Sequence, residues 1–254
     1  MSALLEVREV SKRFGGLTAV RDVSFGVKAG SIHALIGPNG AGKTTMFNMI
    51  SALLSPTSGE ILFEGRHLEK ARADQLASFG IGRTFQNLAV FSHATVVQNL
   101  LVGMHHLTRV SALGAGLFLG AARREEVAAR RRVEEIIEFL EIEHLRDATV
   151  GSLSYGLQKR VELGRALAIS PKLLLLDEMV SGMNGEETED IGRFILDINQ
   201  QLGATVLMIE HDMHFVMDIS DTVTVLNYGQ LIADGPPAEV ARSEAVIKAY
   251  LGKA

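Results

Sequence analysis

The apolar run Ile32–Ile36 stops at Gly37-Pro-Asn-Gly-Ala-Gly-Lys-Thr-Thr45 and gives way to a helix-like stretch, Met46–Leu54. That order predicts a buried strand, a tight loop and a helix. G-x-x-x-x-G-K-[ST] in such a setting is a phosphate-binding loop. Gly37, Gly40 and Gly42 let the backbone turn tightly and aim successive N–H groups at phosphate oxygens. The helix N-terminus adds partial positive charge at the same place. Pro38, Asn39, Ala41 and Thr45 complete the cradle. Lys43 is expected to reach the β- and γ-phosphates, and Thr44 to ligate Mg²⁺ through its hydroxyl. A chain built around this loop binds a nucleoside triphosphate.

The apolar patterning around the loop extends the frame. Residues 4–10 and 18–27 alternate apolar and polar side chains, as half-buried strands do, and Gly59–Phe63 reads as a third such strand. Together they predict an antiparallel sheet beside the loop. From about residue 93 to 162 the character is helical, with Val133, Ile136, Ile137 and Leu140 on one face. Glu126–Arg130, Arg130–Glu134 and Arg131–Glu135 are spaced as i,i+4 pairs on the exposed side. Lys172–Leu176, Ala204–Ile209 and the weaker Asp221–Leu226 are continuous apolar runs, as in a parallel sheet covered on both faces. Gly229 and Gly235-Pro-Pro237 mark turns. The expected fold is α/β, a mostly parallel core interrupted by a helical insertion.

Two apolar strands end in acids or histidine. Leu173-Leu-Leu-Leu-Asp177-Glu178 places carboxylates at the carboxyl end of a strand, where α/β folds put their ligands. Asp177 is expected to hold Mg²⁺, and Glu178 to polarise the water that attacks the γ-phosphate. Val206–Ile209 runs into Glu210-His211-Asp212, so His211 is placed to contact the γ-phosphate. His105, His106, His144 and His214 share no metal-ligand spacing with acids, and the chain has no cysteine. The net charge of −5 and pI near 5.9 argue against broad nucleic-acid binding. The start carries no signal pattern, and the longest membrane candidate, Ala112–Ala122, is far short of the ~20 apolar residues a span needs. Any membrane role is expected to come through a partner.

The ordered set Gly37–Thr45, Gln86, Leu153–Gln158, Asp177-Glu178 and His211 resembles the ATP-binding subunit of ATP-binding-cassette (ABC) transporters over essentially the whole chain. The resemblance implies a RecA-like phosphate-loop NTPase core with an antiparallel β subdomain over 1–92 and 163–254, and an inserted α-helical subdomain over 93–162. It implies that two such subunits sandwich two ATP molecules head to tail. Each nucleotide would lie between the loop of one subunit and the Leu153-Ser-Tyr-Gly-Leu-Gln158 signature of the other, contacted by Ser154 and Gly156. Ser154 is also suited to N-cap the helix that follows. Gln86 matches the glutamine that senses Mg²⁺ and water. Phe14 takes the position where the family stacks an aromatic on adenine, and Asn184 lies in the loop that usually carries an Asp across the dimer interface.

Val10–Val20, Ile81–Asn87, Ile209–Met213, the terminal Ala249-Tyr-Leu-Gly252, Tyr155, Asn184 and the long segment at about 106–125 narrow the resemblance. They look like the first of two ATPase subunits in branched-chain (hydrophobic) amino-acid importers. The branch implies a second ATPase subunit, a paralogue or a second copy of this chain, two membrane permeases and indirectly a periplasmic binding protein as partners, with the chain on the cytoplasmic face of the inner membrane. Alternatives are a lipopolysaccharide-export ATPase, or an importer of other amino acids, amides or urea. A cassette ATPase of DNA repair or the ribosome, and a regulatory module without turnover, are further readings. Leu157 stands where the signature normally has Gln or Glu, Met179 where Pro follows the catalytic Glu, and Gly185 where another Pro is usual.

Overall fold

The computed structural model describes residues 3–85, 88–104 and 121–251. Its strands and its helices of seven residues or more are β1 (Ala3–Phe14), β2 (Leu17–Lys28), β3 (Ile32–Ile36), α1 (Lys43–Ile50), β4 (Ser58–Phe63), β5 (Arg66–His67), β6 (Ile81–Arg83), α2 (Val96–Gly103), α3 (Ala121–Phe139), α4 (Tyr155–Leu167), β7 (Leu173–Asp177), α5 (Gly185–Leu202), β8 (Thr205–Ile209), α6 (Met213–Ile219), β9 (Thr222–Asn227), β10 (Gln230–Gly235) and α7 (Glu244–Leu251). They fall into two compact units, one of residues 1–76 with 175–254 and one of residues 77–174.

The first unit holds two sheets. β2-β1-β4-β5 is antiparallel throughout. β1 and β2 each run longer than the alternating pattern 4–10 and 18–27. Register shifts between Val7 and Val10 and between Val10 and Lys12, with Glu9 and Asp22 at positive φ, break the period of two without ending the strands. The other strands run in the order β10-β9-β3-β8-β7, with β3 parallel to both β8 and β9 and β10 antiparallel at the edge. β3, β7 and β8 are buried at every position, which is why they read as unbroken apolar runs.

α1 spans Lys43–Ile50 rather than Met46–Leu54. Its start is set by Gly42, which takes the left-handed N-cap conformation. At its other end Ser51 Oγ donates to the Phe47 carbonyl at 2.8 Å, and Ala52 turns the chain with φ 53°.

In the second unit β6 lies beside the start of β7, and the N–H groups of Lys172 and Leu173 both donate to the Gly80 carbonyl. α3 buries Val133, Ile136 and Ile137, followed by Leu140, as the one-face spacing requires. Glu126–Arg130 and Arg131–Glu135 pair at 2.8 and 3.3 Å. Glu134 does not pair with Arg130. It binds Arg146, which the turn after α3 brings alongside.

Candidate functional site

β3 delivers the chain into the glycine loop, and the glycines there are required by their surroundings. Gly37 and Gly42 adopt φ 151° and 101°, and a Cβ would lie 2.1 Å from the Leu226 carbonyl oxygen at Gly37 and 2.6 Å from that of Ala19 at Gly42. Only glycine permits both the conformation and the close approach. Lys43 folds its side chain back into the loop. Its Nζ donates to the Gly37 carbonyl at 2.7 Å and to that of Pro38 at 3.2 Å. Burial lowers the Lys43 pKa, and the charge of Glu178 opposes that shift. With Gly42 as N-cap, no side chain caps α1, which leaves its first-turn N–H groups for a bound anion.

The ends of β7 and β8 supply the acids. Asp177 is the buried last residue of β7. Glu178 turns the chain there at φ 52°, a region few side chains other than Asn, Asp or Gly adopt, and its N–H donates to the Ile209 carbonyl at 2.9 Å. This re-aims its side chain, and Glu178 Oε1 lies 2.6 Å from His211 Nε2. Between Ile209 and His211, Glu210 is buried, and its Oε1 accepts the Val180 N–H at 3.2 Å. Burial pushes the Glu210 pKa up to about 7. The N–H groups of Val180, Met179 and His211 oppose the rise, and Glu178 adds to it.

A cleft of about 310 Å³ opens beside the loop between Thr18 and Ala19 of β2, Gly40, Thr44 and Thr45, and Tyr228. A second, of about 360 Å³, lies between Pro38 and Asn39, Tyr228 again, and Lys248 of α7. Tyr228 and Tyr250 are the residues that sequence reasoning missed here. Tyr228 sits in the β9–β10 turn, 78% exposed, and the turn pair Tyr228-Gly229 is its only signal in the sequence. Burial raises the Tyr250 pKa to about 12, and the Gly37 N–H opposes the rise.

Phe14 ends β1 at the hairpin. It is not a core residue: it is 46% exposed, with Lys12 Nζ 5.2 Å from the ring centroid. Asn184 caps α5: its Oδ1 accepts the Glu187 N–H at 2.9 Å, and its own N–H donates to Glu187 Oε2 at 3.2 Å. In the second unit Ser154 caps α4 by accepting the Leu157 N–H at 3.4 Å, and Gly156 is buried in the first turn of that helix. Gln86 lies outside the described residues, as does most of the 106–125 segment. Among the described residues no three His, Asp or Glu side chains are grouped to hold a metal ion.

A glycine cradle with its lysine, followed by an acid pair and histidine at the ends of neighbouring strands, defines a nucleotide-hydrolysing cassette. The chain belongs to the ABC transporter family, whose profile matches residues 20–181. Its particular branch is marked at the other end, where residues 230–254 match the profile "Branched-chain amino acid ATP-binding cassette transporter". The chain is 40% identical over 252 residues to the high-affinity branched-chain amino acid transport ATP-binding protein BraF of Pseudomonas aeruginosa, covering 99% of this chain and 98% of BraF. It is 39% identical over 251 residues to the corresponding LivG of Salmonella typhimurium, with the same coverage. The solved ADP conformation of MJ1267, an ATP-binding cassette of an ABC transporter, superposes with TM-score 0.86 at 32% identity and full coverage of both chains.

Proposed function

We propose that this chain is the ATP-hydrolysing subunit of an importer for branched-chain, hydrophobic amino acids. The observation that carries the catalytic reading is the meeting of the Lys43-centred loop with the Glu178–His211 pair in one unit. The substrate class is supported by the branch profile at the C-terminus and by the names of the relatives.

Lys43, already desolvated and held by carbonyls, exchanges those contacts for β- and γ-phosphate oxygens. The N–H groups of residues 39–45 neutralise the remaining charge. Thr44 and Asp177 would hold Mg²⁺, a hard cation suited to their hydroxyl and carboxylate oxygens, together with Gln86. When bound, the ion supplies charge stabilisation at the β- and γ-oxygens. Glu178 accepts the hydrogen bond of the attacking water and draws off its proton. His211 fixes the carboxylate through its 2.6 Å contact and meets the γ-phosphate. Phe14 stacks on the adenine.

Ser154 and Gly156 act on the nucleotide of a partner cassette, and Asn184 faces that partner. The working pair is this chain with a paralogous ATPase, docked through the region near Gln86–Asn99 on two permeases at the cytoplasmic face of the inner membrane. A periplasmic binding protein delivers the amino acid. Docking is peripheral, through the permeases, and no helix among the described residues is long and apolar enough to cross a membrane.

Reconstitution of the full complex tests this reading. Leucine-loaded binding protein should stimulate ATP hydrolysis and drive leucine accumulation in vesicles. Stimulation by lipopolysaccharide, urea or amides but not by leucine would overturn the substrate assignment.

A further inference from the structure

In the second unit, α4 buries an ion pair that the catalytic scheme does not use. Lys159 is 0% and Glu162 1% exposed, and Lys159 Nζ lies 3.3 Å from Glu162 Oε2. Burying two charges is unfavourable unless their remaining hydrogen-bonding capacity is filled. Here one short segment supplies partners to both charges. Glu162 Oε1 accepts the N–H of Phe85 at 3.1 Å and of Ala89 at 3.3 Å, and Lys159 Nζ donates to the Phe85 carbonyl at 3.3 Å. Glu162 also lies in the field of Arg165. Phe85 and Ala89 bracket Gln86 in the sequence. Ser154 caps the same helix that carries Lys159 and Glu162.

We propose that Lys159 and Glu162 are positioning residues that fasten the glutamine segment to the signature helix, so that Gln86 and the Ser154 end of α4 move as one body. A ladder of strand hydrogen bonds could hold the segment equally firmly. A buried carboxylate instead gathers the N–H groups of Phe85 and Ala89 at one point. The lysine compensates the charge and pins the adjoining carbonyl. In this arrangement a change sensed at Gln86 reaches the helix that contacts the partner's nucleotide without passing through the rest of the fold. The proposal rests on the reading of Gln86 given above.

The test uses the assembled transporter with K159M/E162L, which removes both charges and both acceptors while keeping apolar bulk. Q86A and the triple variant K159M/E162L/Q86A accompany it. Hydrogen exchange should show faster exchange over residues 84–90 in K159M/E162L, with α4 still protected. The turnover number should fall roughly tenfold while the KM for ATP stays within about twofold, and the triple variant should be no slower than Q86A alone. Unchanged exchange over 84–90 would overturn the fastening. Turnover losses that multiply in the triple variant would overturn its action through Gln86. If Q86A alone left turnover intact, the role given to Gln86 would fall, and the exchange measurement would still decide the fastening.

Discussion

Glu178 Oε1 and His211 Nε2 stand 2.6 Å apart across the ends of β7 and β8, and a backbone bond from the Glu178 N–H to the Ile209 carbonyl locks the same two strand ends together. The left-handed turn at Glu178 makes the contact possible. E178Q should keep the side-chain hydrogen bond and lose the base. Its hydrolysis rate should fall by about 10²–10⁴-fold with ATP still bound in a closed pair of cassettes, seen by size exclusion with retained nucleotide. H211A leaves the base unfixed and should reduce turnover more than it reduces ATP affinity. Hydrolysis persisting in E178Q, or failure to trap the ATP-bound pair, would remove Glu178 from its assigned role.

Gly185, where the family usually has Pro, is the first residue of α5. A proline there needs three things, and the structure offers each. A first-turn N–H has no intrahelical acceptor to lose. The preceding Asn184 sits at φ −79° and ψ 173°, the extended region a residue before proline favours. A Cβ at Gly185 meets no atom within 4 Å. G185P should therefore stabilise the protein by about 0.4–1 kcal/mol, mainly by restricting the unfolded chain. A lower melting temperature for G185P would show that this loop needs glycine.

The core strands and the phosphate loop were legible in the sequence because their constraints are local. A strand buried on both faces must be apolar at every position, and the loop pattern carries its own geometry. The ends of elements were less legible. β1 and β2 continue past their alternating stretches because bulges at Glu9 and Asp22 shift the period, and α1 starts at Lys43 because Gly42 sets its first turn. Glu162, Glu210, Tyr228 and Tyr250 were not legible at all as site residues. Each acquires its role from a neighbour distant in sequence: Phe85 and Ala89, Val180, the loop cleft, and Gly37 respectively.

Leu157 replaces the usual polar residue of the signature, and its N–H makes only a 3.4 Å bond to Ser154 Oγ. A glutamine at this position would add a hydrogen bond near charged phosphate, worth roughly 1.5–3 kcal/mol if formed in the transition state. L157Q should accordingly raise ATP hydrolysis by the assembled complex by roughly 10- to 100-fold. Equal rates for L157Q and the parent would mean that this signature is not weakened by its leucine.

Two buried groups in the first unit give stability opposite pH dependences. His33 Nε2 bonds Thr224 Oγ1 at 2.7 Å, and that hydroxyl donates to Asp234 Oδ1. Burial pushes the His33 pKa down to about 4, with Asp234 opposing. Because the unfolded chain protonates first, the contribution of His33 is fully present above pH 6.5 and is lost as pH falls toward 4. Glu210 behaves in the reverse sense. Its raised pKa, about 7, means that its contribution is full below pH 4.5 and is lost as pH rises through 7. Each effect is on the order of 3 kcal/mol, so in the parent protein they largely cancel between pH 7 and 4.5. Metal-free melting curves across that range should separate them. H33Q keeps a donor to Thr224 but does not titrate, so it should gain stability on acidification relative to the parent. E210Q should lose stability over the same range. Parallel curves for all three proteins would show that neither group carries the shifted proton.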